Sequence, residues 1–277
     1  MSHPPRSVLV DDVSLACSVS GEGPPLLLIM GFGGTMDMWG FPFLSRLMKK
    51  FTVISFDHRG MGESSLGIRV PSIERFASDA AGLLDGLGVK KAHVLGWSMG
   101  GYVAQELALC RPNLVRRLVL YGTCCDHQTA VSVRREAFDL ITDLSVSDRR
   151  RTEIALHTLF PDRWLEKRPR FARAFLSHPM TACSKYSDGV AAQVRALESW
   201  SGCCSRLRTM DIPTLVVAGE QDRLIPPELA RATAAVLRRG RYRPFPDGGH
   251  GLVYQYPEEL ARVVEGFLTA PRGVNFM

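Results

Sequence analysis

Long apolar runs are missing from this sequence. Nowhere in its 277 residues do the roughly 18 consecutive apolar positions occur that a bilayer-crossing helix needs. The uninterrupted run Leu26–Met30 has the length of a strand instead. The leading residues Met1–Arg6 are polar and proline-rich, without the apolar core of a secretion signal. Neither membrane insertion nor secretion is therefore expected, and the expected location is the cytoplasm. Metal and redox spacings are lacking too: the seven cysteines include no C-x-x-C pair. The glycine cluster Gly31–Gly34 has no Lys-Ser or Lys-Thr after it, so a phosphate-binding loop is not indicated. No metal and no cofactor is expected. The net charge of +6 carries no basic, aromatic-interleaved stripe, which argues against nucleic acid as a partner. Internal repeats and low-complexity segments are absent. What remains is a globular protein that handles a small molecule, as a monomer or small homo-oligomer.

Three textures follow one another along the chain. From Ser7 to Thr123, short β-rich runs alternate with helical patterns. Ser7–Val10 and Ser14–Val19 flank Asp11-Asp12 as a leading hairpin. Leu26–Met30, Phe51–Phe56, Ala92–Leu95 and Leu118–Tyr121 are almost wholly apolar, as strands buried on both faces of a parallel sheet must be. Ser72–Leu87 reads as a helix with Ser72 as its N-cap and Gly88 as its stop. Between Cys124 and Arg206 the strand pattern vanishes and apolar residues recur at helical spacing. From Thr209 the alternation resumes with strand Thr214–Ala218, helix Pro227–Arg239, a strand near Arg241–Phe245 and helix Pro257–Leu268. The expected fold is α/β: a mostly parallel central sheet flanked by helices, with residues 1–123 and 207–277 forming one core domain. Residues 124–206 form a helical cap over one end of the sheet.

Gly96-Trp97-Ser98-Met99-Gly100 sits between the strand Ala92–Leu95 and the helical run Tyr102–Leu109. A serine on so sharp a turn is lifted clear of the sheet end, and the glycines let strand and helix approach without Cβ clashes. The helix start also presents free N–H groups and the positive end of its dipole to the same point.

With that motif the chain resembles the α/β-hydrolase family over nearly its whole length. The resemblance is also carried by Ile29-Met-Gly-Phe-Gly-Gly34, Asp57-His-Arg-Gly-Met-Gly-Glu-Ser64, Gly219-Glu-Gln-Asp222 and Gly248-Gly-His250. It implies a nucleophile, an acid and a base in that chain order. Ser98 is then the nucleophile, and it sets aside the dehalogenases and epoxide hydrolases of this fold, which carry Asp at the elbow. A hydroxyl needs a base beside it. His250 is the best placed of the histidines, directly after the loop Pro246–Gly249 and ahead of the last helix; His93 reads as a packed strand residue. Asp222, after the strand Thr214–Ala218, matches the family's place for the acid, with Asp126 as rival and loop capping as its alternative role. The resemblance assigns the oxyanion donors to the backbone N–H groups of Phe32 and Met99. Here the chain departs from the commoner pattern: Met30 stands where many relatives have His. The donor is backbone, so the oxyanion site should survive while the anchoring of its loop changes.

In the cap, Trp164, Trp200, Phe171 and Phe175 either line a cavity or pack the helices together; Trp164, Trp97 and Phe32 are the candidate substrate contacts. Arg149-Arg150-Arg151 reads as a solvated face, with an arginine holding a substrate carboxylate as the minor alternative. Cys124-Cys125 and Cys203-Cys204 fall at the two ends of the cap, close enough in principle for a bridge, but reduced thiols are the expectation. The expected activity is that of a carboxylesterase acting on small to medium esters through an acyl-enzyme. Lactone opening and hydrolytic C–C cleavage of a diketone use the same residues. A ligand receptor that keeps the triad is the alternative from another class.

Overall fold

Strands that are apolar at every position need cover on both faces, and the computed structural model shows what supplies it. It describes residues 6–143, 145–177 and 185–271. Eight strands form one sheet: β1 (Arg6–Val10), β2 (Val13–Ser20), β3 (Pro25–Ile29), β4 (Thr52–Phe56), β5 (Ala92–Trp97), β6 (Val115–Tyr121), β7 (Thr214–Gly219) and β8 (Gly240–Phe245). Their spatial order is β1-β2-β4-β3-β5-β6-β7-β8. β2 runs antiparallel to both β1 and β4, and every later pairing is parallel.

The two-residue period of a strand splits β3 between two cores. Leu27 and Ile29 join one buried cluster with Phe76 and Val103, from the helices Ile73–Gly86 and Met99–Cys110. Leu26 and Leu28 join the other with Phe43 and Val264, from the helices Phe41–Leu47 and Pro257–Thr269. Ser72 caps the first of these helices as expected, its side chain accepting from the Arg75 N–H. The helix Phe41–Leu47 escaped sequence reading; it is short and begins with Pro at its second position.

Between β6 and β7 the described elements, from His127 to Leu207, are all helices. Two of them, Arg135–Thr142 and Asp148–Leu159, supply Ile141, Arg151, Ala155, Thr158 and Leu159 to a cavity shared with Trp97 at the end of β5 and the loop after β3. The two ends of this stretch are fastened together. Cys203 N–H donates to the Cys125 carbonyl at 2.9 Å, and Cys125 and Cys204 form a disulfide across a Cα–Cα distance of 4.9 Å. This corrects the expectation of reduced thiols throughout: the chain leaves and re-enters the sheet at neighbouring points, which brings this pair within bridging range. Cys124 and Cys203 stay free and buried; Cys183 lies outside the described residues. Among the described residues no helix is long and apolar enough to cross a membrane.

Candidate active site

Ser98 occupies the step from β5 into the helix Met99–Cys110, at φ +56° and ψ −123°. A non-glycine residue held there stores on the order of 1–3 kcal/mol, which the surroundings must impose. They do so through close packing. A Cβ on Gly100 would come within 2.1 Å of the Ile29 carbonyl oxygen, and one on Gly96 within 2.2 Å of the Gly100 carbonyl oxygen. Both positions therefore need glycine for the helix to start against β3 and β5. The Ser98 N–H donates to the Tyr121 carbonyl at 2.9 Å, and its carbonyl accepts from Gly101 N–H at 2.8 Å.

Ser98 and His250 line one cavity of about 90 Å³, together with Trp97, Phe32 and the loop around Gly31. His250 is 2% exposed, and its Nδ1 lies 2.7 Å from Asp222 Oδ2. A carboxylate can only accept, so Nδ1 carries the proton and the Nε2 lone pair is left for the cavity. The other Asp222 oxygen accepts from the N–H groups of Leu224 at 2.8 Å and Ile225 at 2.9 Å. Asp222 is thus both partner to the imidazole and cap to its own turn, the two roles weighed for it. Asp126 does neither job at this site. Its carboxylate caps the helix His127–Val133 by accepting from Thr129 N–H and Oγ1.

The His250 loop is pinned from three directions. Tyr121 Oη donates to the His250 carbonyl at 2.5 Å, Gly249 N–H donates to Gln255 Oε1 at 2.7 Å, and Gly251 N–H donates to the Leu159 carbonyl at 2.9 Å. The loop after β3 is anchored as firmly, though not by a side chain at position 30. His58 Nε2 donates to the Met30 carbonyl at 3.0 Å. Asp57 accepts from Met36 N–H at 2.7 Å and Glu63 N–H at 3.1 Å, and Gln193 Oε1 accepts from Gly33 N–H at 2.7 Å. Burial pushes the Asp57 carboxyl above its usual value and lowers His58 to about 4. The loop that bears Phe32 is so held over Ser98, and the Met99 N–H, at the first turn of its helix, has no carbonyl within the helix to meet.

Other placements differ from the sequence expectations. Trp97 lines the cavity and stacks on Tyr121 with centroids 5.5 Å apart. Trp164 does not line the cavity: it packs with Phe160, Phe171 and Phe175 in a separate aromatic cluster of the helical stretch between β6 and β7. Trp164 meets the rings of Phe160 and Phe171 there, with centroids 5.3 Å and 4.9 Å away. Trp200 turns onto Tyr102 and donates its indole N–H to Glu106 at 2.8 Å. His93 is packed inside β5, edge-on to Phe51. The Arg149-Arg150-Arg151 run is a solvated face only in part, since Arg151 is buried and lines the cavity. Tyr121, Gln255 and Gln193 were not singled out from sequence; His58 entered only within the Asp57–Ser64 motif, and Arg151 only as one of a run of three arginines. For Arg151 a signal existed: with Ala155 and Thr158 it forms an i, i+4, i+7 face, and all three line the cavity.

A strained serine over a mostly parallel sheet, with a histidine and an aspartate delivered from the two loops after β7 and β8, defines the α/β-hydrolase class. The profile of the family described as alpha/beta hydrolase fold matches residues 24–257, and the chain belongs to that family. The chain is 30% identical to the serine hydrolase BPHL of Mus musculus, over 94% of this chain and 85% of that protein. It is 29% identical to RutD of Azorhizobium caulinodans, named as a carbamate hydrolase, over 92% of this chain and 95% of RutD. Among solved structures, a thermophilic esterase from Thermogutta terrifontis superposes with a TM-score of 0.81 at 27% identity, covering 96% of this chain and 98% of that one.

Proposed function

We propose that this hydrolase cleaves small carboxylic esters by way of an acyl-enzyme on Ser98. The observation that carries the reading is the cavity shared by Ser98 and an imidazole whose far nitrogen is fixed by Asp222 at 2.7 Å. His250 Nε2 takes the Ser98 proton as Oγ attacks the carbonyl carbon. Asp222 holds the tautomer and stabilises the imidazolium that forms. The N–H groups of Phe32 and Met99 receive the developing oxyanion. His250 then protonates the departing alcohol, and a water deprotonated by His250 releases the acid from Ser98.

The described helices between His127 and Leu207 act as a lid. They wall the cavity through Ile141, Ala155 and Leu159, and the Cys125–Cys204 disulfide ties the lid's two ends at its base. With room of only about 90 Å³, the closed site suits a short acyl chain. The esterase reading draws further support from the likeness to the Thermogutta terrifontis esterase and to the serine hydrolase BPHL. The test is a panel of esters and lactones graded by acyl length, run on the parent protein and on Ser98→Ala. Turnover of short esters by the parent and its loss in the variant are expected. A Ser98→Ala protein as fast as the parent would remove the nucleophile assignment.

A further inference from the structure

The wall of the Ser98 cavity is mostly apolar, with one permanent charge in it. Arg151 lines the cavity and is 5% exposed. Its neighbours in sequence behave differently: the Arg149 and Arg150 side chains are 90% and 62% exposed, and both pair with Glu153. Among the described residues no carboxylate lies within ion-pair distance of Arg151; the nearest acceptors are backbone. The two terminal nitrogens donate to carbonyls at the end of one helix and in the turn before the next, Ile141 at 3.2 Å, Asp143 at 2.6 Å and Val146 at 3.4 Å. Its Nε is buried and meets no hydrogen-bond partner.

Carbonyl dipoles orient the guanidinium, and the Asp143 carboxylate acts on it only from beyond ion-pair distance, so no direct carboxylate contact balances its charge. An unpaired buried cation is costly, and a buried N–H without an acceptor adds to that cost. The charge deficit is one that an anionic oxygen entering the cavity would meet at the guanidinium, since charge-assisted bonds from arginine to carboxylate are among the stronger ones. The volume of about 90 Å³ leaves space for only a short chain between that anion and the carbonyl that Ser98 attacks.

We propose that Arg151 is the specificity residue of this site and that the substrate is a short-chain ester or lactone carrying a second, free carboxylate. The inference rests on the Ser98 reading above and names its substrate class. The carboxylate docks against the Arg151 guanidinium, which fixes the scissile carbonyl at a set distance from it and from Ser98 Oγ. Removal of Arg151 leaves the nucleophile in place but takes away the preference.

The experiment has a turnover arm and a binding arm. In the first, the half-methyl esters of malonic, succinic and glutaric acid are compared with isosteres in which a methyl ketone replaces the free carboxyl. At the favoured chain length the parent should show a kcat/KM at least about tenfold higher for the acid, the scale of one charge-assisted bond. In Arg151→Met that ratio should fall to near one, and in Arg151→Lys part of it should return. In the second arm malonate, succinate and glutarate are titrated into the Ser98→Ala protein by calorimetry, with and without Arg151→Met added, and melting curves verify that both proteins are folded. Binding that requires Arg151 and weakens with salt supports the site whether or not any ester is cleaved. Failure of all ester turnover would sink the Ser98 reading, whereas the binding arm judges Arg151 separately. Equal rates on acids and isosteres, or dicarboxylate binding undiminished in Arg151→Met, or no dicarboxylate binding at all, overturns the inference.

Discussion

Asp222 holds His250 with one carboxylate oxygen and its own turn with the other. The 2.7 Å contact to Nδ1 and the two N–H bonds from Leu224 and Ile225 account for a buried acid without a cation beside it. An imidazole placed this way has one tautomer, and its free nitrogen belongs to the cavity.

Replacement of Asp222 by Asn should leave the fold intact and remove most of the activity. The amide oxygen can still accept from Leu224 and Ile225, but its NH₂ then faces Nδ1 and favours the opposite tautomer. A drop in kcat of about 10³–10⁴-fold is expected, with KM little changed. Steady-state kinetics beside a melting curve check this, and activity within tenfold of the parent would speak against the pairing.

Tyr121→Phe tests the support beneath His250. The hydroxyl donates to the His250 carbonyl and accepts from Val253 N–H at 3.3 Å, so its loss orphans two buried backbone groups. The expected cost is about 1–3 kcal/mol of stability, with kcat falling about tenfold and KM much less, because the effect reaches the reaction only through loop position. An unchanged kcat would show that the loop is held adequately by Gln255 and Leu159 alone.

Acid should destabilise this protein through its buried histidines. Burial lowers His58 to about 4 in the folded state, against about 6.5 for a free histidine. Between those values the unfolded chain binds a proton that the folded one refuses, so stability is fully present above about 6.5 and falls as pH drops toward 4, by up to roughly 3 kcal/mol. Buried His93 and His127, also lowered to about 4 by burial, act in the same direction. Urea midpoints between pH 7 and 4.5 measure the slope. His58→Gln, which can still donate to the Met30 carbonyl, should flatten the slope by about one proton; an unaltered slope would contradict a neutral buried His58.

The Cys125–Cys204 disulfide closes 79 residues of chain and should contribute about 2–4 kcal/mol, since it restricts the unfolded state. Tandem mass spectrometry of a digest made without reductant should find the linked peptides, and reductant should lower the melting temperature. Finding both cysteines alkylated in the unreduced, unfolded protein would contradict the bridge.

Much of the core was legible in the sequence because its signals are local. Continuous apolar runs marked β3 to β7, and the glycine-bearing segments that follow strands marked where function gathers. Ser98, His250 and Asp222 were readable for the same reason, as each sits at a turn whose glycines or following helix announce it. What escaped depends on long-range packing. Nothing around Tyr121 says that its hydroxyl reaches a loop 129 residues later. Trp164 was misplaced as a cavity residue because an aromatic at helical spacing does not reveal which neighbour it meets, and Phe160 proved nearer. Arg151 hid in a run of three arginines whose first two do face solvent, and the cysteine bridge awaited knowledge of where the helical stretch begins and ends in space.

The nucleophile itself is open to the most direct measurement: covalent capture with a fluorophosphonate, followed by peptide mapping. One adduct per chain on the peptide holding Ser98 is expected, abolished in Ser98→Ala and strongly slowed in His250→Ala. An adduct on another residue, or hydrolysis that continues undiminished when Ser98 is blocked, would contradict the account.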